Sequence, residues 1–169
     1  ASVLNDVVPF IRAPVLRADQ EEDFNRPAVS PQAATVYEHC LRALKHGYRL
    51  GAHGLPLMGT GDWNDGMNKV GAEGKGESVW NGWFFVTVLT GFAELAEQRG
   101  QSADANWCRE GAERLRQALE ANAWDGAWYR RAYFDDGTPL GSAQNDECQI
   151  DALPQAWAVI SRAADPARA

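Results

Sequence analysis

Apolar residues recur at helical spacing in four segments of the chain. The first helix is predicted to begin at Ser30-Pro31, because Ser caps helices well and Pro suits the first turn, and to end at Gly51. The second, residues 79–99, is apolar nearly all round in its first half, which is typical of a helix buried on every side. The third and fourth helices are predicted over residues 102–122, with one apolar stripe, and over residues 154–164.

Three stretches lack this periodicity. Residues 1–29 are predicted to be an irregular lead-in, and residues 52–76 to form a long glycine-rich loop. A loop of that length inside a compact domain is usually functional. Residues 124–133 are predicted to form a short strand or extended arm, and Asp165-Pro166 repeats the signal that starts a helix.

A buried helix joined to an amphipathic one through Gly100-Gln101 predicts an αα-hairpin with an inner and an outer member. Hairpins of this kind, stacked in a ring, give an (α/α) toroid whose loops at one end build the site. An open helical bundle is the alternative. In either case the fold class is predicted to be mainly all-α, and residues 1–169 fit within one domain.

Composition narrows the classes of function. A net charge of −7, with acids and bases interspersed, argues against a nucleic-acid partner, which needs a clustered basic surface. The three Cys and three His are too scattered to predict a metal site or a disulfide framework. No apolar run reaches the roughly 18 residues that span a bilayer.

The most informative chemistry lies in the loop, where Asp62 and Asp65 flank Trp63 and Asn64 among glycines. An indole face packs on a sugar ring and still donates a hydrogen bond, and an adjacent carboxyl group can serve as an acid. These residues therefore favour chemistry on a carbohydrate. The alternative is a turn in which the Asp and Asn side chains bond their own backbone. By contrast, Trp80 and Trp83 lie on the all-apolar helix and are expected in the core.

Several segments together resemble a known enzyme family. Residues 61–68 (Gly-Asp-Trp-Asn-Asp-Gly-Met-Asn) are similar to the acid-bearing loop of the inverting disaccharide phosphorylases, glycoside hydrolase family 94. Asn145-Asp146-Glu147 followed by residues 154–161 resembles a downstream block of that family. Residues 36–44 and 51–60 look most like the C-terminal phosphorylase-like region of cyclic β-1,2-glucan synthases.

The resemblance implies a catalytic domain built on an (α/α)6 barrel, of which residues 1–169 are a part. It implies inverting phosphorolysis of a β-glucosidic bond that releases α-glucose 1-phosphate. Carried over by position, Asp65 is the general acid, and three further groups bind substrate. These are the loop residues Asp62, Trp63 and Asn64, the downstream residues Glu147 and Gln155, and Asp151, which would lie near the acceptor sugar.

The same resemblance sets expectations about ligands and context. Inorganic phosphate is the expected co-substrate, without a further cofactor, and residues outside 1–169 are expected to bind it and the donor sugar. The expected partners are a β-glucan oligosaccharide and the rest of a parent polypeptide, a bacterial inner-membrane protein with this region on its cytoplasmic side. Self-association of the isolated piece is also expected, since half a ring exposes apolar helix faces.

Arg130, Arg131 and His53 are candidate ligand-binding residues for which structural roles are favoured. Arg130 and Arg131 are predicted to lie on a solvated strand face rather than to bind phosphate, and His53 to pack within the loop. Two alternatives for the whole chain stay open. One is an inverting hydrolase on the same fold, with Asp62 or Glu147 as the base, and the other is a non-catalytic glucan-binding piece.

Overall fold

The computed structural model describes residues 3–17, 20, 23–61 and 66–169. The chain divides into two compact units, Ala1–Tyr48 and Arg49–Ala169. Most of the regular structure is helical, and the strands are short except in the first unit. The helices are α1 (Val36–Gly47), α2 (Val79–Gln98), α3 (Ser102–Asn122) and α4 (Ala152–Ser161). The strands are β1 (Val7–Arg12), β2 (Ala28–Thr35), β3 (Glu77–Ser78), β4 (Ala132–Tyr133) and β5 (Pro139–Leu140).

The first unit corrects two sequence-based predictions. Residues 1–29 are not an irregular lead-in throughout, because β1 lies within them and pairs antiparallel with β2. Helix α1 begins at Val36 rather than at Ser30-Pro31. Pro31 instead lies in β2, where it is tolerated because both strands of a two-stranded sheet are edges.

A capping box explains the observed start of α1. The Thr35 side chain accepts a hydrogen bond from the Glu38 N–H, and the Glu38 carboxylate accepts one from the Thr35 N–H at 2.8 Å. Helix α1 also packs on β1, since the His39 ring stacks on Phe10 with centroids 3.9 Å apart. These two reciprocal bonds between side chain and backbone stabilise a helix start at Val36, and the helix does not begin at the Ser30-Pro31 signal.

The α2–α3 hairpin of the second unit agrees with prediction almost to the residue. Gly100 adopts a φ of +73°, and the N–H groups of Gly100 and Gln101 bond the carbonyls of Glu97 and Ala96 at 2.9 Å. This pattern ends a helix in a left-handed residue that favours Gly. A Cβ on Gly82 would lie 2.9 Å from a Leu119 methyl carbon, so this glycine lets the two helices approach closely.

The core of this unit lies between α2, α3 and α4. Trp83 is fully buried and meets Tyr129 edge-on at 5.2 Å, and Trp80 is also buried, which confirms the expectation for both tryptophans. The stripe that α3 buries consists of Ala105, Cys108, Gly111, Ala112, Leu115 and Leu119. Helix α2 is not covered on every side, however, because Phe84 remains 38% exposed where α3 and α4 leave it open.

The arm predicted over residues 124–133 contains β4, which lies between β3 and β5 in a three-stranded antiparallel sheet. Helix α4 begins two residues before the predicted Pro154, with Asp151 as its N-cap. The signal at Asp165-Pro166 starts only a turn, in which Asp165 Oδ1 accepts the Ala167 N–H at 2.8 Å.

Within the described residues, no helix is long and apolar enough to cross a membrane.

Candidate functional site

The two segments that carry the predicted site residues meet at one end of the second unit. Strand β3 leads directly into α2 and pairs with β4, which lies in the segment between α3 and α4. The Val79 N–H donates to the Arg131 carbonyl at 3.2 Å, and Trp80 and Phe84 of α2 pack on Trp157 of α4. The glycine-rich loop leads to the N-terminal end of α2, and the α3–α4 connection leads to the N-terminal end of α4, the helix that packs on α2.

The four predicted residues of the acid-bearing loop, Asp62, Trp63, Asn64 and Asp65, lie outside the described residues. The chain on both sides of them is described and closely packed. The Met58 N–H donates to the Gly76 carbonyl at 3.0 Å, and a Cβ on Gly71 would lie 2.8 Å from the Gly59 oxygen. The outgoing stem (residues 52–61) and the returning stem (residues 66–76) of the loop are thus in direct contact.

An apolar cluster lies beneath these stems. Met58, Val70 and Ala132 are buried together, so the cluster joins both stems of the loop to β4. Met67, Phe134 and Leu140 pack against it. Since Met67 lies two residues after Asp65, the returning stem is anchored close to the predicted acid.

Asp135, in the turn between β4 and β5, binds the returning stem. Its Oδ2 accepts the Glu73 N–H, and its Oδ1 accepts those of Lys75 and Gly76, each at 2.8 Å. These backbone donors, that of Glu73 first, hold the pKa of Asp135 below its usual value. The Asp135 N–H in turn donates to the Val70 carbonyl at 3.0 Å. Sequence reasoning did not single out this residue.

A second carboxylate organises the outgoing stem. Glu77 is 1% exposed and accepts hydrogen bonds from the backbone N–H groups of His53 and Leu55. The His53 Nδ1 lies 2.5 Å from Glu77 Oε2, and its ring stacks on Tyr133 at 3.7 Å. His53 therefore does pack within the loop, and it also forms an ion pair with Glu77 when protonated. Sequence reasoning did not single out Glu77, because its partners lie 22 and 24 residues away.

The two arginines do not form the predicted solvated strand face. Arg131 is 1% exposed, and its Nε lies 3.5 Å from Asp151 Oδ2. Arg130 is largely buried and pairs with Asp125 at 2.6 Å while donating to the Asn122 carbonyl. The prediction was wrong because Arg130 lies against Asp125 and the Asn122 carbonyl, and Arg131 lies beside Asp151, the N-cap of α4, contacts that residue alternation within one strand cannot reveal.

The downstream site residues occupy three different environments. Glu147 is exposed in the irregular segment before α4. Asp151 caps α4 by accepting the Leu153 N–H at 2.7 Å, and part of its side chain remains accessible. Gln155 accepts the Tyr129 N–H at 2.9 Å and donates to the Tyr129 carbonyl at 2.6 Å. The structure thus gives Asp151 and Gln155 architectural contacts, and their contacts with substrate, like those of Glu147, stay predictions.

A cleft of about 490 Å³ opens beside the loop stems. Its wall is formed by His53, Lys75, Phe134, Asp135 and Asp136, together with backbone from both stems. Among the residues that the structure places, no group of three or more His, Cys, Asp or Glu side chains is arranged to hold a metal ion. The cleft thus combines the Phe134 ring and other apolar surface with a few charged side chains, which is the usual lining of a small-molecule site.

Known proteins resemble this chain over most of its length. Residues 6–169 match the family described as the glycosyl hydrolase 94 superfamily, catalytic domain. The chain is 47% identical over 98% of its length to cyclic beta-(1,2)-glucan synthase NdvB of Rhizobium meliloti (strain 1021), of which it covers 6%.

Two relatives from Paenibacillus borealis are named as phosphorylases. A 3-O-beta-D-glucopyranosyl-beta-D-glucuronide phosphorylase is 41% identical over 78% of the chain and 17% of the relative. A solabiose phosphorylase is 42% identical over 85% of the chain and 19% of the relative. The chain thus spans less than a fifth of the length of each of these three proteins. Because the family match runs through both predicted site segments and nearly the whole sequence, the chain belongs to the glycosyl hydrolase 94 superfamily.

Proposed function

We propose that this chain is part of the catalytic domain of an inverting β-glucan phosphorylase within a cyclic β-1,2-glucan synthase-like protein. The enzyme would transfer a glucosyl unit from a β-1,2-linked glucan to inorganic phosphate and release α-glucose 1-phosphate. The observation that carries the proposal is the family match over residues 6–169, which includes the loop at residues 59–68. The relative named as a cyclic β-(1,2)-glucan synthase supports the linkage.

The proposed chemistry needs one acid rather than two carboxylates. A phosphate oxygen attacks C1 of the glucosyl unit, the bond from C1 to the glycosidic oxygen breaks, and Asp65 gives its proton to the departing oxygen. A hydrolase would also need a base to activate water, whereas phosphate is already an anionic nucleophile. Placing Asp65 between two anchored stems suits this role, because general acids act only from a fixed geometry.

The remaining predicted residues are assigned by their positions. We assign Asp62, Trp63 and Asn64 to the sugar-binding loop and Glu147 and Gln155 to contacts with substrate. We assign Asp151 to the vicinity of the acceptor sugar. Inorganic phosphate is the co-substrate, and residues outside this chain supply its main contacts. The parent is a bacterial inner-membrane protein with this domain on the cytoplasmic side.

We further propose that the α2–α3 hairpin is one segment of an (α/α)6 toroid. The support is the arrangement of a largely buried α2, an amphipathic α3 outside it and α4 beside α2. A structure of the parent domain would test this directly. It should show α2 and α4 as neighbours on an inner ring, and α3 on that ring would overturn the proposal.

The function is tested by incubating the parent protein with β-1,2-linked glucooligosaccharides with and without inorganic phosphate. We expect phosphate-dependent release of glucose 1-phosphate, identified as the α anomer by NMR. The Asp65→Asn variant should lose about 10²–10⁴-fold in rate. Glu110→Gln, a change on the exposed face of α3, is the control and should keep full activity.

Two results would overturn the proposal. Release of free glucose without a need for phosphate would identify a hydrolase. Tight glucan binding without turnover, unchanged in Asp65→Asn, would identify a non-catalytic binding protein.

A further inference from the structure

We propose that Asp135 is a positioning residue that fixes the acid-bearing loop for catalysis, although it lies some 70 residues further along the chain. The inference rests on the proposed function, in which Asp65 is the general acid. Asp135 needs no contact with substrate for this role. It acts through the backbone of the returning stem.

The returning stem has few other means of holding its shape. Residues 66–76 contain no helix or strand, and four of them are glycines, so the backbone is intrinsically free. Asp135 satisfies three of its N–H groups at once, those of Glu73, Lys75 and Gly76. A single carboxylate thus replaces the hydrogen bonds that a helix or sheet would supply.

The contacts continue toward the acid. The Asp135 N–H donates to the Val70 carbonyl at 3.0 Å, and the Val70 N–H donates to the Met67 carbonyl at 3.1 Å. Met67 packs against the cluster of Met58, Val70 and Ala132. The chain of contacts therefore runs from the β4–β5 turn to a residue two positions from Asp65.

Charge and shape both matter at this position. An Asn side chain presents one carbonyl oxygen and one NH₂ group, so it can accept the pair of bonds from Lys75 and Gly76 or the bond from Glu73, but not all three. Its NH₂ group would face an N–H donor. The loop should then relax by a fraction of an ångström to about an ångström, a displacement that can lower catalysis about 10²-fold.

Glu110 on α3 provides a control. Its side chain is exposed and does not line the cleft beside the loop stems. Glu110→Gln removes one negative charge, as Asp135→Asn does. Of these two carboxylates, Asp135 is the one bonded to the returning stem in the described part of the chain.

The experiment compares two substrates in the parent protein, each with inorganic phosphate. One is a β-1,2-linked glucooligosaccharide, whose leaving oxygen needs a proton, and the other is 2,4-dinitrophenyl β-D-glucoside, whose leaving group does not. We expect Asp135→Asn to lower kcat on the oligosaccharide 10- to 100-fold with little change in KM, and to lower the rate on the activated glucoside less than threefold. Asp135→Glu, which keeps the charge but displaces it, should show the same selectivity with a smaller loss. Glu110→Gln should stay within twofold on both substrates.

Parallel assays of Asp65→Asn distinguish failure of the positioning role of Asp135 from failure of the proposed function. Asp65→Asn should lose activity selectively on the oligosaccharide. If it does, but Asp135→Asn and Asp135→Glu lower the rates on both substrates equally, or lower neither rate, the positioning role is wrong and the proposed function stands. If Asp65→Asn shows no selective loss, the proposed function itself fails. Should Asp135→Asn not fold, Asp135→Glu alone decides between selective and uniform loss.

Discussion

The Nδ1 atom of His53 lies 2.5 Å from Oε2 of Glu77, at the point where the glycine-rich loop returns to the start of α2. Glu77 also accepts the backbone N–H groups of His53 and Leu55, and the His53 ring stacks on Tyr133 of β4. One buried carboxylate therefore joins the outgoing stem of the loop to the three-stranded sheet. Gly51 makes room for it, since a Cβ there would lie 2.5 Å from Glu77 Cδ.

Replacing Glu77 should strongly destabilise this unit. Glu77→Ala leaves two backbone N–H groups and the imidazole without their acceptor, and we expect a loss of about 3 kcal/mol in the free energy of unfolding. Urea unfolding followed by tryptophan fluorescence measures it. Glu73→Gln is the control, because Glu73 and its partner Lys75 are both well exposed and their pair should contribute less than about 0.5 kcal/mol. Equal effects of the two changes would contradict the assignment.

Gln155 offers a test that separates an architectural role from substrate binding. Its amide both accepts from and donates to the Tyr129 backbone, and it donates to the Asp151 carbonyl at 3.0 Å. Gln155→Glu removes the donor, so two carbonyls would face a carboxylate, and we expect a loss of about 1–3 kcal/mol in unfolding free energy. Thermal unfolding and KM for the glucan are measured together. A raised KM at unchanged stability would instead show that the side chain serves substrate.

Sequence reasoning predicted the α2–α3 hairpin well because its signals are local. The apolar period of each helix and Gly100 after α2 lie within or beside the helices they define. The same reasoning missed the pairing of β1 with β2, in which Val7 meets Thr35 far along the chain. It also missed Asp135, whose acceptor role depends on N–H groups 59 to 62 residues away. Contacts of that separation leave no periodic trace in a single sequence.

The start of α1 shows how two local signals compete. Thr35→Ala removes one half of the capping box with Glu38, and we expect it to lower stability by about 1 kcal/mol. Ser30→Ala removes only the hydroxyl oxygen that accepts the exposed Gln32 N–H and should cost a few tenths of a kcal/mol. Thermal unfolding of the two variants compares the caps. A larger effect at Ser30 would restore the helix start predicted from sequence.

Acid should weaken the anchoring of the loop by Asp135. Backbone hydrogen bonds, that from Glu73 first, hold its pKa below the ordinary value of 3.8. Because the folded state binds this proton less readily than the unfolded state, the contribution is fully present above 3.8 and is lost as the pH falls toward the folded pKa. The difference in Tm between the unmodified protein and Asp135→Asn should therefore be constant near neutral pH and shrink below 3.8. Glu110→Gln, on the exposed face of α3, is the control. If the Tm curves of the unmodified protein and of Asp135→Asn stay parallel down to about pH 2, the linkage is excluded.

The isolated chain should associate, because α2 and α4 leave apolar side chains uncovered. Phe84 is 38% exposed, and Val159 and Ile160 of α4 are each 57% exposed. Exposed apolar side chains on neighbouring helices favour association with another apolar surface. Light scattering coupled to size-exclusion chromatography should give a mass above the 18.5 kDa of one chain. The double change Val159→Lys and Ile160→Lys should shift the mass toward the monomer, since it places two charges on the patch. A monomer before any substitution would mean that these faces do not need the neighbouring helices that a toroid provides.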